Sequence, residues 1–266
     1  TKMSDEEVLA NLFKSNFSTY QKADLSAGRG IGLDIAKNFI NEGAIVGINS
    51  RNSKDIKTTI KELGSKNLYA IRGDVSKYNE IKDIYKNFKK NVGLADILIC
   101  NVGSGKSVKI GTETFQEWQR VFEINLWSTI NTINFFKKDL IKTKGSIVCI
   151  SSICGHEYIE GAPITYSLAK NAINTYIKLA SKELGKFKIR INGVSPGNIL
   201  FDGSTCSNKI KKNQKKTKNF IKKEVSLNKF GEPKNISDIV LFLSSDKSDF
   251  TTGSINIVDG GQIRGI

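Results

Sequence analysis

Short apolar runs and longer amphipathic stretches alternate along most of this chain. The runs at 44–49 (AIVGIN), 67–72 (NLYAIR), 95–101 (ADILICN), 146–151 (SIVCIS), 188–197 (KIRINGVSPG) and 254–261 (SINIVDGG) predict strands. Between them, helical spacing predicts helices at 53–63, 77–91, 113–143, 166–185 and 235–244. Another helix follows Gly28, Gly30 and Gly32, with Ile31, Ile35, Ala36, Phe39 and Ile40 on one side. Residues 4–15 read as a helix with Ser4 and Glu7 spaced for a capping box. The stretch 204–224 is lysine-rich and reads as irregular. Strands alternating with helices in this way imply βαβ units, hence a parallel sheet with helices on both faces. The expected architecture is α/β, a Rossmann-like doubly wound sheet in a single domain over 1–266, with 1–24 as an atypical N-terminal segment.

Composition narrows the functional classes. Apolar content of 39% and charged content of 25% suit a soluble globular chain of 266 residues. No apolar run approaches the ~18 residues that span a bilayer, and the first residues are polar and acidic. Neither a membrane partner nor secretion is expected, and a cytoplasmic location is. Cys100, Cys149, Cys154 and Cys206 form no CxxC pair, so reduced thiols are expected and no metal site. The net charge of +15 raises the question of nucleic acid, but lysines occur on nearly every expected helix, so no nucleic-acid partner is expected. An anionic substrate or acidic carrier protein remains compatible with it.

Candidate chemistry gathers between Gly145 and Lys170. A strand ends on Ser151-Ser152, and Tyr166 follows Ser152 by 14 residues. Tyr166 and Lys170 stand four apart, on one face of a helix. A phenol with pKa about 10 is a poor base at neutral pH. A fixed ammonium beside it is expected to lower that value toward the working pH. The serine would hydrogen-bond the reacting oxygen as its charge changes.

Small or polar residues stand at the expected strand ends, where doubly wound sheets bind ligands. They are Gly28 to Gly32, Ser50-Arg51, Asp74, Asn101 to Gly103, Ser151-Ser152 and Pro196-Gly197. A glycine turn opening a helix suits a pyrophosphate. At the position where a carboxylate would read an NAD ribose stand Ser50 and Arg51, and Arg29 lies in the glycine turn. Two guanidiniums with no acid nearby favour the 2′-phosphate of NADP.

Together these residues resemble the short-chain dehydrogenase/reductase family over about Leu25 to Gly261. The resemblance rests on Gly28/Gly30/Gly32, Asp74, NVG at 101–103, Asn125 in FEINL, Ser152, YSLAK, PG at 196–197 and VDGG at 258–261. It implies Tyr166 as catalytic acid/base, Ser152 orienting the substrate oxygen, and Asn125 holding a relay water. Lys170 would bind the nicotinamide ribose and lower the tyrosine pKa. The cofactor NADP(H) would meet Gly28, Arg29, Gly30, Ile31, Gly32, Ser50, Arg51, Asp74, Val75, Asn101, Gly103, Tyr166, Lys170, Pro196, Gly197 and Ile199. Residues 199–224 would form a substrate lid, and the helices around 113–143 and 166–185 would pair between subunits of a homodimer or homotetramer. The implied activity is NADPH-dependent interconversion of a carbonyl and a secondary alcohol.

The chain departs from the family pattern in places. Leu25-Ser26 stand where Thr-Gly is usual, and STYQKAD is polar where a buried first strand should be apolar, so that strand is expected to be poorly formed, displaced or altered. These departures motivate an alternative, an inactive cofactor-sensing or structural homologue. Leu200 or Phe201 replaces a threonine that usually touches the nicotinamide carboxamide. Eight lysines between Lys209 and Lys223 read either as a solvated lid face or as a clamp for an anion. His156 reads as incidental, and Trp118 and Trp127 as packing residues.

Overall fold

The computed structural model describes the backbone of Asn16–Thr19 and residues 30–265 in full. Seven parallel strands stand in the order β3-β2-β1-β4-β5-β6-β7: β1 (Asn16–Thr19), β2 (Val46–Ser50), β3 (Leu68–Arg72), β4 (Ile97–Cys100), β5 (Ser146–Ile150), β6 (Arg190–Pro196) and β7 (Ile255–Val258). The order reverses between β1 and β4, which puts the switch point where ligands bind in such sheets.

Side chains alternate across the sheet with the period of a strand. On one face Leu98, Cys100, Ile147, Cys149 and Ile191 pack under three helices: α3 (Tyr78–Asn91), α5 (Ser128–Thr143) and α6 (Ile164–Gly185). On the other, Ile97, Ile99, Val148, Ile150 and Val194 meet α1 (Ile31–Asn41) and α9 (Pro233–Ser244). Both faces of β4 and β5 are therefore dry, which explains why their sequences are continuous apolar runs. The remaining helices are α2 (Ser53–Leu63), α4 (Phe115–Phe122), α7 (Thr205–Lys212) and α8 (Gln214–Glu224).

Several expectations are corrected here. The long helix expected over 113–143 is broken by a π-helical turn at Glu123–Trp127 between α4 and α5. Such turns insert a residue and recur at functional sites. The insertion shifts the face of α5 relative to α4, so the tryptophans part company. Trp118 tilts against Phe122 with ring centroids 5.9 Å apart, whereas Trp127 is 48% exposed and not a packing residue within the chain. The irregular reading of 204–224 also fails, because α7 and α8 are helices. Ser204 Oγ accepts the Ser207 N–H (3.0 Å) and Asn213 Oδ1 the Lys216 N–H (2.9 Å), capping each start. Thr217 and Ile221, one turn apart, bury the inner face of α8, while the lysines point outward.

The first strand forms at Asn16–Thr19, paired parallel with β2 on one side and β4 on the other. Gly28, Arg29, Leu25-Ser26 and the helix expected at 4–15 lie outside the described residues.

The centre of the first face is aromatic. Phe136 is fully buried, with the rings of Tyr85 and Phe88 edge-on at 5.0 and 5.2 Å. Phe136→Ala should destabilise the fold by about 3–5 kcal/mol in urea unfolding; a loss below about 1 kcal/mol would show that this cluster does not hold the layer.

Candidate active site

The site begins where β5 ends. Ser151 N–H donates to the Val194 carbonyl (2.7 Å) and its hydroxyl to the Lys170 carbonyl (3.3 Å), tying β5 to β6 and α6. Ser152 is extended, and its Oγ accepts the Cys154 N–H (3.2 Å), capping a 3₁₀ turn at Ile153–Gly155. A Cβ on Gly155 would fall 2.7 Å from the Lys170 carbonyl carbon, so only glycine lets this turn lie flat on α6. The Gly155 carbonyl then accepts from Asn171 Nδ2 (2.9 Å) and Asn174 Nδ2 (3.3 Å), which fixes Ser152 against the Tyr166 face.

Lys170 is buried, and its Nζ donates to the Ile150 carbonyl (2.8 Å). That nitrogen lies 5.8 Å from the centroid of the Tyr166 ring. Gly103 separates Lys170 from Asn125: a Cβ there would come within 2.9 Å of both Lys170 Nζ and Asn125 Oδ1. Asn125 sits in the π turn with no exposed surface. Its Oδ1 accepts the Ser104 N–H (2.9 Å), and its Nδ2 donates to the carbonyls of Ser104 (3.1 Å) and Val121 (2.9 Å). The four sequence-derived catalytic candidates thus converge around Gly103–Gly105.

The proton affinities run against the sequence expectation. Burial pushes the Tyr166 phenol up, and the neighbouring Cys154 thiol adds to the rise. A hydrogen bond with Ser152 pulls it partly back. Burial also brings the Lys170 amine down to about 8. The expectation that Lys170 lowers the tyrosine pKa is therefore corrected. Dehydration dominates at both groups, and the phenol holds its proton at neutral pH.

A cavity of about 310 Å³ opens beside these groups. Gly30, Ile31, Gly32, Asn101, Gly103, Pro196, Gly197 and Ile199 line it together with Ser152, Tyr166 and Lys170. Ser50, Arg51, Asp74 and Val75 form a separate group at the ends of β2 and β3, where Ser50 and Val75 are buried. Arg51 Nη1 meets Asp74 Oδ2 at 3.3 Å, and Asp74 Oδ1 accepts from Ser76 N–H (2.9 Å) and Oγ (2.6 Å). The premise that no acid stands near Arg51 is thus corrected; Asp74, 23 positions away in sequence, is brought to it by the pairing of β2 with β3.

His156 is exposed and lies outside the cavity lining, its Nε2 2.8 Å from the Oγ of buried Ser195. Sequence reasoning missed Ser104, Gly105, Asn198, Ser204 and Cys206, all on the cavity wall. The continuation of NVG into Ser104-Gly105 was the available signal for the first two.

Comparison with known proteins identifies the scaffold. Residues 26–262 match the family model described as enoyl-(acyl carrier protein) reductase. A 3-oxoacyl-(acyl-carrier-protein) reductase of Chlamydia trachomatis is 34% identical over 240 residues, covering 88% of this chain and 93% of the relative. The chain belongs to the short-chain dehydrogenase/reductase family. Carbonyl reductase family member 4 of Xenopus laevis is 33% identical over 240 residues, 90% of this chain and 96% of that protein. Among solved structures, a 3-oxoacyl-(acyl-carrier protein) reductase of Brucella melitensis with bound NAD superposes with a TM-score of 0.80 at 27% identity, covering 100% of this chain and 98% of that one. As in these short-chain reductases, the sheet is doubly wound. Among the described residues, no helix is long and apolar enough to cross a membrane.

The buried amine carries a pH signature. Its folded pKa of about 8 lies below the ordinary 10.5, so the fold prefers the neutral form and the charged form costs stability below pH 8. Relative to Lys170→Met, the wild type should gain stability as pH rises from about 8 toward 10.5, read as the difference in urea midpoints. A difference that stays flat across that window would contradict the burial of the charge.

Proposed function

We propose that this protein is an NADPH-dependent reductase that converts a carbonyl to a secondary alcohol. The observation that carries the reading is the convergence of Asn125, Ser152, Tyr166 and Lys170 beside the opened first turn of α1. The residues suit a dinucleotide. Five glycines (Gly30, Gly32, Gly103, Gly105 and Gly197) keep the wall close to the backbone, and the N-terminus of α1 favours phosphate.

Bound NADPH would supply the hydride. Tyr166, protonated at neutral pH, donates its hydroxyl proton to the carbonyl oxygen as that oxygen gains charge, which favours the reductive direction. Ser152 donates a hydrogen bond to the same oxygen and steadies the charge. Lys170, still mostly charged at pH 7, stabilises the phenolate left behind, which regains its proton from solvent at the end of the cycle. Both Nδ2 hydrogens of Asn125 are committed to Ser104 and Val121, so it acts by fixing the 103–105 loop, and a relay water would have to meet its oxygens.

The 2′-phosphate preference rests on Arg51, which is 44% exposed and shares Asp74 with Ser76. A phosphate dianion can offer that guanidinium two charge-assisted bonds, and the Asp74 contact at 3.3 Å is the one it would have to outcompete or share. Residues 199–224 act as the substrate lid. Exposed Phe115, Trp127 and Leu168, on or beside α4 and α6, support pairing of these helices in a dimer or tetramer.

The relatives named as 3-oxoacyl-carrier reductases make acetoacetyl thioester the first substrate to assay. With it, Tyr166→Phe should lower kcat by about 10³-fold or more while leaving the NADPH Kd within about twofold; retained turnover would remove Tyr166 from the chemistry. Arg51→Asp should move the NADPH-over-NADH preference in kcat/KM at least about tenfold toward NADH. An unchanged preference would sink the phosphate assignment.

A further inference from the structure

Phe201 contributes an aromatic ring to a cavity wall of mixed polar, glycine and aliphatic residues. It follows Pro196-Gly197 and leads into the lid, and its ring edge rests on Gly30: a Cβ there would lie 2.7 Å from Cε2 and 2.9 Å from Cζ. Gly30 is the N-cap of α1 and, with Ile31 and Gly32, lines the cavity. The ring therefore hangs over the helix start, where a pyrophosphate would have to approach the backbone. Part of the same ring is packed against the core between α1, α9 and the sheet, so the contact is an inward, apolar one.

The ring is also tied to the lid. Phe201 N–H donates to Ser204 Oγ (3.3 Å), and Ser204 N–H returns a bond to the Phe201 carbonyl (3.0 Å). Ser204 Oγ is the cap that accepts the Ser207 N–H (3.0 Å) at the start of α7. On the other side, Leu200 N–H is held by the Gly231 carbonyl (2.7 Å), so the Phe201–Ser204 corner joins an anchored residue to the start of α7. A shift of the ring off Gly30 must move this corner, and the corner carries the first turn of α7.

We propose that Phe201 is a latch joining the lid to the helix start: the ring and the cofactor's phosphates compete for the space over Gly30, so dinucleotide binding displaces the ring and repositions α7. This rests on the reading that the first turn of α1 receives those phosphates. Phenylalanine carries no group that could hydrogen-bond a phosphate, so over Gly30 its ring fills the space without replacing that contact. The ring thus sets cofactor affinity and couples it to access for substrate, without entering the chemistry.

The test compares wild type with Phe201→Ala and Phe201→Thr, using calorimetric Kd values for NADPH and amide hydrogen exchange over 201–212. Both variants should bind NADPH about tenfold more tightly, about 1.4 kcal/mol. In the wild type, exchange at 205–212 should rise when NADPH is added. In the variants it should be fast already, with little further change. Equal or weaker NADPH binding by both variants would overturn the latch and make the ring a platform for the ligand instead. If wild type and variants all fail to bind NADPH, the phosphate-site reading itself falls and the latch with it. Should Phe201→Ala melt early, Phe201→Leu removes the ring edge while keeping most of the buried volume, and the same two readouts apply.

Discussion

A buried amine at Lys170 is the constraint on which the rest of the site depends. Its bond to the Ile150 carbonyl holds α6 against the end of β5. Its volume demands glycine at 103, and the loop that follows Gly103 is in turn gripped by Asn125. Asn125 can reach that loop because the helix around it widens into a π turn. Each of these pieces of irregular backbone at the sheet's switch point thus packs around one dehydrated nitrogen. The burial that makes Lys170 release its proton more easily makes Tyr166 keep its own.

The cleft is consequently a place of opposed demands. At the start of α1, Gly30 and Gly32 leave the backbone bare toward the cavity. The same bare surface attracts the Phe201 ring. The positive charge of the chain falls mostly elsewhere, on outward faces such as the lysines of α8, so the cleft is not built as a basic trough. Arg51 and Asp74 stand apart from it, paired at the ends of β2 and β3.

Much of this was legible in the sequence, for physical reasons. Strands β4 and β5, covered on both sides, could hardly be anything but ILIC and SIVCI. Helix α2 was readable to its residue bounds because Asn52 caps its start and Gly64 takes the left-handed turn that stops it. The i, i+4 placement of Tyr166 and Lys170 is local geometry. What could not be read depends on partners distant in the chain. The π turn requires Ser104, 21 positions from Asn125, and the Arg51 ion pair requires the β2–β3 register. The raised phenol depends on burial that only the assembled cleft provides. In 204–224 the abundance of lysine masked a thin apolar stripe at Cys206, Thr217 and Ile221, sufficient for two capped helices.

A cleft built around Lys170 and the first turn of α1 should hold a nicotinamide dinucleotide. Calorimetric titration of the unmodified protein with NADPH and separately with NADH decides this. Saturable NADPH binding with a Kd in the roughly micromolar range and weaker NADH binding is the expected result. Absence of binding heat for either, in a sample shown to be folded, would contradict it.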